Sequence, residues 1–306
     1  MSYQRFLCLS LSGVVGSSIA FGCAEGTSRE DYVAPAAPSD NTADAASTEN
    51  SPSESFGRQE DGSAPADRTV PEVHEVFGHS KSTLFRLEPK TKAVSIVGNF
   101  KDCEPVIDIA LTESSVLYAV SNNTLYTVDK TTAACTKVSQ GTYPNSLSFV
   151  PKGTLLANEE ALVGYDEGDY IRIDIATGAR TILGKLGGKL VSSGDIVSVK
   201  GGSTYLTVKS TAKSGECTTT DCLVEVDPKT GKMLKNWGSV EHKKVFGLSF
   251  WGGKVYGFDE TGNLFEVVFG SSKVVTTTIQ IPQKPEGLSF WGAGSSTSAP
   301  LVAEPE

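Results

Sequence analysis

The sequence predicts an all-β domain that follows a long polar N-terminal segment, and three observations support this prediction. Short stretches alternate apolar and polar residues with the period of two that gives a β-strand one buried face. Two of these stretches run into the same turn, Asp-x-x-Thr-Gly, at residues 174–178 and 227–231. Hardly any stretch shows the 3.6-residue period of an amphipathic helix.

The alternating stretches belong to an internal repeat. A strand that runs into a turn recurs five times, at residues 84–91, 125–132, 170–178, 223–231 and 264–268. A second strand follows the turn, and an element such as Gly-Leu-Ser-Phe at residues 247–250 opens the unit and leads into one more strand. Four strands per unit, repeated every ~40–50 residues, are typical of the blades of a β-propeller.

The number of units predicts a single propeller of five four-stranded blades, with a sixth blade as the alternative. The first unit lacks its inner strand, and the last unit has only that strand, at residues 287–291. We therefore expect the N- and C-terminal strands to complete one blade, with residues 287–291 beside residues 73–77, which leaves no open seam. The propeller should span residues 73–294, and residues 295–306 should form a disordered tail.

The first 22 residues predict an export signal. Arg5 supplies a positive charge before a mainly apolar stretch, residues 6–20, that is too short to span a bilayer. Residues 19–23, Ile-Ala-Phe-Gly-Cys, resemble the lipobox of bacterial lipoproteins, and this resemblance implies that Cys23 carries a lipid. Cleavage after Ala20, which would release a secreted protein, is the alternative.

Residues 23–72 predict a disordered acidic linker. They are rich in Ala, Ser, Pro, Asp, Glu and Thr and contain almost no apolar residue, so they cannot bury enough surface to offset the loss of backbone entropy. A tethered domain needs such a spacer. We expect an exported lipoprotein of the cell envelope, on the outer membrane or the cell surface, or else a secreted or periplasmic protein.

The remaining cysteines predict two disulfides. Cys217 and Cys222 flank a short loop between two strands, whereas Cys103 follows one blade edge and Cys135 lies in the next outer strand. An oxidising compartment makes disulfides the expected state of such pairs. A structural zinc site would need four ligands together, which this spacing does not offer.

Charge and histidine content argue against two classes of function. The net charge is −9, and no cluster of Lys and Arg offers the positive surface that nucleic-acid binding requires. The chain has three histidines, His74, His79 and His242, so catalytic triads and His-rich metal sites are poorly supplied. We expect no nucleic-acid partner.

One candidate site follows from the propeller geometry, because innermost strands line a central channel. Polar residues open four of these strands in the sequence, namely Asp108, Asn145, Asp195 and Glu286. Four oxygen-bearing side chains around one axis can hold a divalent cation such as Ca²⁺ or Mg²⁺, or hydrogen-bond a polyol. The alternative is that they form the polar lining of a wet channel.

Residues 143–155, with Pro144-Asn145-Ser146-Leu147-Ser148-Phe149, resemble a stretch of the gluconolactonase and senescence marker protein family. Residues 285–288, Pro-Glu-Gly-Leu, are similar to the opening motif of that family. The resemblance implies a divalent metal held by Glu286, Asn145 and Asp195, and hydrolysis of a lactone by metal-activated water. Similar strings also occur in NHL and YncE-like repeat proteins, which mostly bind or scaffold.

We therefore expect a non-enzymatic binding or scaffold module that uses one propeller face for a protein or glycan partner. The alternative is a metal-dependent, lactonase-like hydrolase. Trp251 and Trp291, both in a Leu-Ser-Phe-Trp-Gly string, can stack on a sugar ring or pack between blades. The acidic residues 166–169, with 159–160, predict either a solvated loop or a surface Ca²⁺ site.

Overall fold

Twenty β-strands in five antiparallel four-stranded sheets make up residues 74–303, the part of the chain that the computed structural model describes. The predicted signal, Cys23 and the linker lie outside these residues. The five-bladed, all-β propeller is confirmed. No helix that could span a membrane occurs within residues 74–303.

Each sheet is one blade, and its strands are named here from the inside outwards. Blade 1 consists of β20 (Gly292–Ser295), β1 (Val76–His79), β2 (Thr83–Leu87) and β3 (Val94–Asn99). Blade 2 consists of β4 (Asp108–Leu111), β5 (Leu117–Val120), β6 (Thr124–Val128) and β7 (Cys135–Gln140). Blade 3 consists of β8 (Leu147–Val150), β9 (Ala161–Asp166), β10 (Asp169–Ile173) and β11 (Arg180–Lys185). Blade 4 consists of β12 (Leu190–Ser198), β13 (Thr204–Ser210), β14 (Cys222–Val226) and β15 (Met233–Ser239). Blade 5 consists of β16 (Val245–Trp251), β17 (Lys254–Asp259), β18 (Leu264–Phe269) and β19 (Val274–Ile279).

The apolar core lies between the blades. In the described part of the chain, one buried apolar cluster fills the space between each pair of neighbouring blades. Alternate residues of an inner strand serve different clusters, so that Ile196 packs toward blade 3 whereas Val197 packs toward blade 5. A strand that is buried on both faces needs this pairing of apolar neighbours.

The ring is closed as the sequence predicts, by N- and C-terminal strands in one blade. Strand β20 pairs antiparallel with β1, from His79 opposite Gly292 to Val76 opposite Ser295. The prediction for the closing strand itself is wrong, because residues 287–290 form no strand. The channel explains the difference, since a Cβ on Gly292 would collide with both Asp108 and His79. Only small residues fit there, and the large Phe290 is buried between blades 5 and 1 instead.

The prediction of a disordered tail from residue 295 is also wrong for the described residues. Residues 296–303, here called the C-terminal cap, cross one end of the ring and hydrogen-bond to all five blades. The bonds are Ser296 N–H to Glu75 O (3.2 Å), Ser298 Oγ to Glu113 O (3.0 Å), Thr297 Oγ1 to Glu160 Oε1 (2.5 Å), Lys200 N–H to Thr297 O (2.8 Å) and Gly253 N–H to Pro300 O (3.3 Å). We call this end the closed end, and the opposite end, where the inner strands begin, the open end.

The Asp-x-x-Thr-Gly turns join the two outer strands of a blade at the closed end. The Asp174 carboxylate accepts hydrogen bonds from the N–H (2.8 Å) and Oγ1 (2.7 Å) of Thr177. These bonds lower the pKa of Asp174. Gly178 and Gly231 adopt φ values of 72° and 68°, as the turn requires.

Both predicted disulfides are confirmed. Cys103 and Cys135, with Cα atoms 5.6 Å apart, join the segment before β4 to the outer strand β7. Cys217 and Cys222, with Cα atoms 5.3 Å apart, close the short loop before β14. Paired cysteines indicate an oxidising compartment, either extracellular or periplasmic.

Candidate functional site

The five inner strands present equivalent residues at the open end of the channel. These are Asp108, Ser146, Asp195, Gly247 and Gly292, and in each strand the next residue directs its N–H toward the channel axis. The side chains of Asp108, Ser146 and Asp195 are fully buried. We call these three side chains the buried polar layer.

Asp195 is the centre of this layer. Its Oδ1 accepts the N–H of Ile196 at 2.7 Å, and its Oδ2 accepts the N–H of Leu248 at 2.5 Å. The backbone N–H groups of Leu147 and Ala293 also stabilise its charged form. Donors from four of the five inner strands therefore converge on one carboxylate, and no side chain of opposite charge takes part.

Asp108 completes the layer from the fifth strand. Its Oδ1 accepts the N–H of Ile109 at 2.8 Å, and the N–H of Leu147 stabilises its charged form as well. Burial raises the pKa of both carboxyl groups well above their usual range, and the neighbouring Asp195 raises the pKa of Asp108 further. Because Asp195 has more N–H donors than Asp108, its charged form is the better stabilised of the two.

His79 borders the same space from the end of β1. Its Nδ1 lies 2.8 Å from the carbonyl oxygen of Ser80, so Nδ1 carries the proton and Nε2 is an acceptor. Burial lowers the pKa of this imidazole to about 4, which keeps it neutral near pH 7. Within residues 74–303, neither His79 Nε2, Asp108 Oδ2 nor Ser146 Oγ has a hydrogen-bond partner.

A cleft of about 470 Å³ lies at the open end, directly above the buried polar layer. The residue before the layer position lines it in four of the five blades: Ile107, Asn145, Phe246 and Trp291. The remaining lining residues are Asn122, Tyr143, Pro144, Asp166 and Glu260. We call this space the open-end cleft, and its volume is within the range of small-molecule sites.

Hydrogen bonds hold the rim of the cleft in place. In blade 5, Asp259 fixes the turn that carries Glu260, since it accepts bonds from His242 Nδ1 (2.8 Å) and Asn263 Nδ2 (2.9 Å). Burial alone would raise the pKa of Asp259, but these bonds outweigh it and lower the pKa to about 2. In blade 3, the Tyr143 hydroxyl lies 3.1 Å from Ser139 Oγ and positions the segment before Asn145.

The structure brings together only part of the predicted metal-ligand set. Asp108 and Asp195 lie in the buried polar layer, Asn145 is exposed in the cleft, and Glu286 is exposed in a turn before β20. Glu286 does not open an inner strand, because β20 begins at Gly292. Within residues 74–303, no three or more His, Cys, Asp or Glu side chains form a group that could hold a metal ion.

The two tryptophans of the repeated string lie at opposite ends of the propeller. Trp291 precedes β20 and lines the cleft, whereas Trp251 ends β16 near the closed end, with its ring centroid 6.0 Å from that of His74. The acidic pair 159–160 and residues 166–169 are likewise separated, by the length of β9. Sequence reasoning missed His79 and Asn122, which lie outside the inner strands and carry no motif.

No protein-family model matches the chain, and no curated protein matches it. Among solved structures, a chain of a nidogen–laminin complex is 12% identical, covers 76% of this chain and 100% of its own length, and has a TM-score of 0.44. A protein of unknown function from Bacteroides caccae is 10% identical over 72% of this chain and 98% of its own, with a TM-score of 0.41. A protein from Lactobacillus plantarum is 14% identical over 71% of this chain and 69% of its own, with a TM-score of 0.31. Similarities this remote bear on the fold alone.

Proposed function

We propose that this protein is an exported, membrane-tethered binding module whose ligand-binding surface is the open-end cleft. The observation that supports it most is the difference between the two ends of the ring. The C-terminal cap covers the closed end and bonds to all five blades, whereas the open end carries a cleft with exposed aromatic and polar side chains.

The place where the chain enters the propeller is compatible with an N-terminal membrane tether. His74, the first described residue, lies at the closed end, where its Nδ1 is 3.2 Å from Ser298 Oγ of the C-terminal cap. A segment that precedes His74 therefore joins the propeller at the end opposite the cleft. A lipid on Cys23 would then tether the protein through a segment that leaves the cleft free for a ligand.

Binding is a better account of the channel than hydrolysis. A lactonase-like site needs Glu286, Asn145 and Asp195 around one metal ion, and Glu286 lies in an exposed turn outside the inner strands. The Asp195 carboxylate is already engaged by backbone N–H groups. The buried polar layer thus acts as a plug that joins the strands and forms the floor of the cleft.

A crosslinking experiment tests which end binds. We would place the photo-reactive residue p-benzoylphenylalanine at Asn122, which lines the cleft, and as a control at Val302, which is exposed at the closed end. In intact cells that make the full chain, we expect a discrete adduct from position 122 and none from position 302. Adducts from position 302 alone, or from neither position, would contradict the proposal.

Labelling with palmitate tests the tether. We expect the full chain to incorporate the label and to fractionate with membranes, and Cys23→Ala to abolish both. Unlabelled mature protein released in soluble form from the unchanged sequence would refute the lipid anchor. The crosslinking result from position 122 does not depend on this outcome.

A further inference from the structure

The lining of the open-end cleft combines apolar side chains with two amide side chains. Phe246, Trp291 and Ile107 come from blades 5, 1 and 2, which are neighbours in the ring, and all three are half-buried. Asn122 and Asn145 come from blades 2 and 3, and both are exposed. Tyr143 and Pro144, which precede Asn145, add further apolar surface, so a ligand in this cleft meets both aromatic side chains and amide groups.

Trp291 is held in place by the backbone beside it. The backbone N–H of Trp291 donates to the carbonyl oxygen of His79 at 2.7 Å, and this bond joins Trp291 to the end of β1. Trp251, in the same Leu-Ser-Phe-Trp-Gly string, packs against the apolar cluster between blades 5 and 1. Of these two tryptophans, only Trp291 lines the mouth of the channel, where its half-buried indole ring is available to stack on a ligand.

The charges around the cleft favour an uncharged ligand. Asp166 Oδ2 is 2.5 Å from Arg180 Nη2, and Glu260 Oε2 is 2.5 Å from Lys244 Nζ, so each lining carboxylate already has a cationic partner. Among the described residues that line the cleft there is neither Lys nor Arg. Within the described part of the chain, the side chains of Asn122 and Asn145 make no hydrogen bond. The groups left for a ligand are two amides, each with donors and an acceptor.

We infer that the open-end cleft binds a neutral saccharide, and this inference rests on the binding function proposed above. A pyranose ring has an apolar face of C–H groups and a rim of hydroxyls. The C–H face matches Trp291 and Phe246, and the hydroxyls match the amides of Asn122 and Asn145. A cationic peptide is the competing ligand, since Asp166 and Glu260 lie at the rim.

Calorimetric titration of the full chain tests the inference. The probes are cellotriose, maltotriose and chitotriose, with a Lys-rich decapeptide as the charged competitor. We expect at least one trisaccharide to bind at a single site, with an affinity unchanged by added salt. Trp291→Ala should weaken binding at least tenfold, and Asn145→Ala severalfold. Trp251→Ala, the matched control at the closed end, should change binding less than twofold.

Each unfavourable outcome is decisive. If no trisaccharide binds, or if Trp291→Ala binds as tightly as the unchanged chain, the saccharide inference is overturned. If the decapeptide binds instead, in a salt-dependent manner that Asp166→Asn weakens, the cleft recognises cationic peptides. In either case an adduct from position 122 would still support the binding module, whereas its absence would remove the proposed function itself. Circular dichroism of every variant separates loss of binding from loss of folding.

Discussion

At the scale of single residues, Asp108 and Asp195 show how two side chains of one type at equivalent positions acquire different roles. Asp195 receives backbone N–H groups from four inner strands, and Asp108 receives them from two. A buried carboxylate is costly unless hydrogen bonds replace its hydration. Asp195 receives more of these bonds, so its charged form is stabilised more than that of Asp108, which the neighbouring Asp195 also disfavours.

The raised pKa of Asp108 predicts a pH dependence of stability. The folded pKa of Asp108 is raised above the value of about 3.9 that applies to the unfolded chain, so folding takes up a proton. The free energy of unfolding should fall as the pH rises from about 4 through the folded pKa. Asp108→Asn stays neutral at every pH, and we expect urea unfolding of this variant to show a smaller fall as the pH rises above about 4.

Asp195→Asn is the matched variant. It replaces an acceptor of several N–H groups by an amide, and should reduce the free energy of unfolding by about 2–4 kcal/mol at pH 7. The loss should exceed that of Asp108→Asn. If Asp108→Asn were the more damaging of the two, the number of backbone N–H donors would not be what ranks these two carboxyl groups.

The sequence placed these two aspartates at the channel because each is followed directly by apolar residues of an inner strand, and both lie within inner strands. Their partners could not be predicted, since backbone N–H groups have no sequence signature. His79 was missed for a related reason. It ends a second strand, β1, and reaches the layer only because Gly292 of the neighbouring strand has no side chain.

At the scale of elements, the string Leu-Ser-Phe-Trp-Gly appears twice and folds in two ways. Residues 248–251 belong to the inner strand β16, whereas residues 288–291 precede the inner strand β20. Apolar alternation predicts both copies as strands. This pattern carries no information about the width of the channel at blade 1, where Gly292 and Gly294 pack against Asp108 and Leu111. The close approach of β20 to β4 determines which residues of the C-terminal segment form the strand. A local sequence pattern does not contain such long-range contacts.

The C-terminal cap should contribute measurably to stability. A chain that ends at Ser295 loses the bonds from the cap to the five blades, and with each worth ~0.5–1.5 kcal/mol we expect a loss of about 3 kcal/mol or more in urea unfolding. A chain that ends at Ala303 is the control and should unfold like the full chain. Thr297→Val, which removes only the bond to Glu160, should cost about 1 kcal/mol. Equal stability of the chains ending at Ser295 and Ala303 would show that the cap does not support the ring.

At the scale of the whole molecule, the repeat made the fold predictable. Five similar units cannot each bury two apolar faces alone, and a closed ring supplies every blade with two neighbours. The different character of the two ends was not predictable. It depends on residues 296–303, whose Ser, Ala and Pro content indicates a tail until their partners in all five blades are known.

The two disulfides should stabilise the ring unequally. Cys103 and Cys135 are separated by 32 residues, and Cys217 and Cys222 by 5. The chain-entropy relation gives about 3.7 kcal/mol for the first bridge and about 2 kcal/mol for the second. Urea unfolding of the double variants Cys103→Ala with Cys135→Ala, and Cys217→Ala with Cys222→Ala, should reproduce this order. The reverse order would mean that local packing around Cys222 outweighs loop length.

The closing strand β20 and the C-terminal cap have a consequence for biosynthesis, because both are made from the last described residues, 292–303. A nascent chain that stops before Gly292 holds every blade strand but one, and its two ends are not yet joined. No native ring can form while those residues are still inside the ribosome. The contacts that complete the structure link its first and last strands, and pairings so distant in sequence form slowly. Closure of blade 1, and with it of the ring, therefore waits until residues 292–303 have left the ribosome, whereas the strands of blades 2 to 5 are consecutive in the sequence.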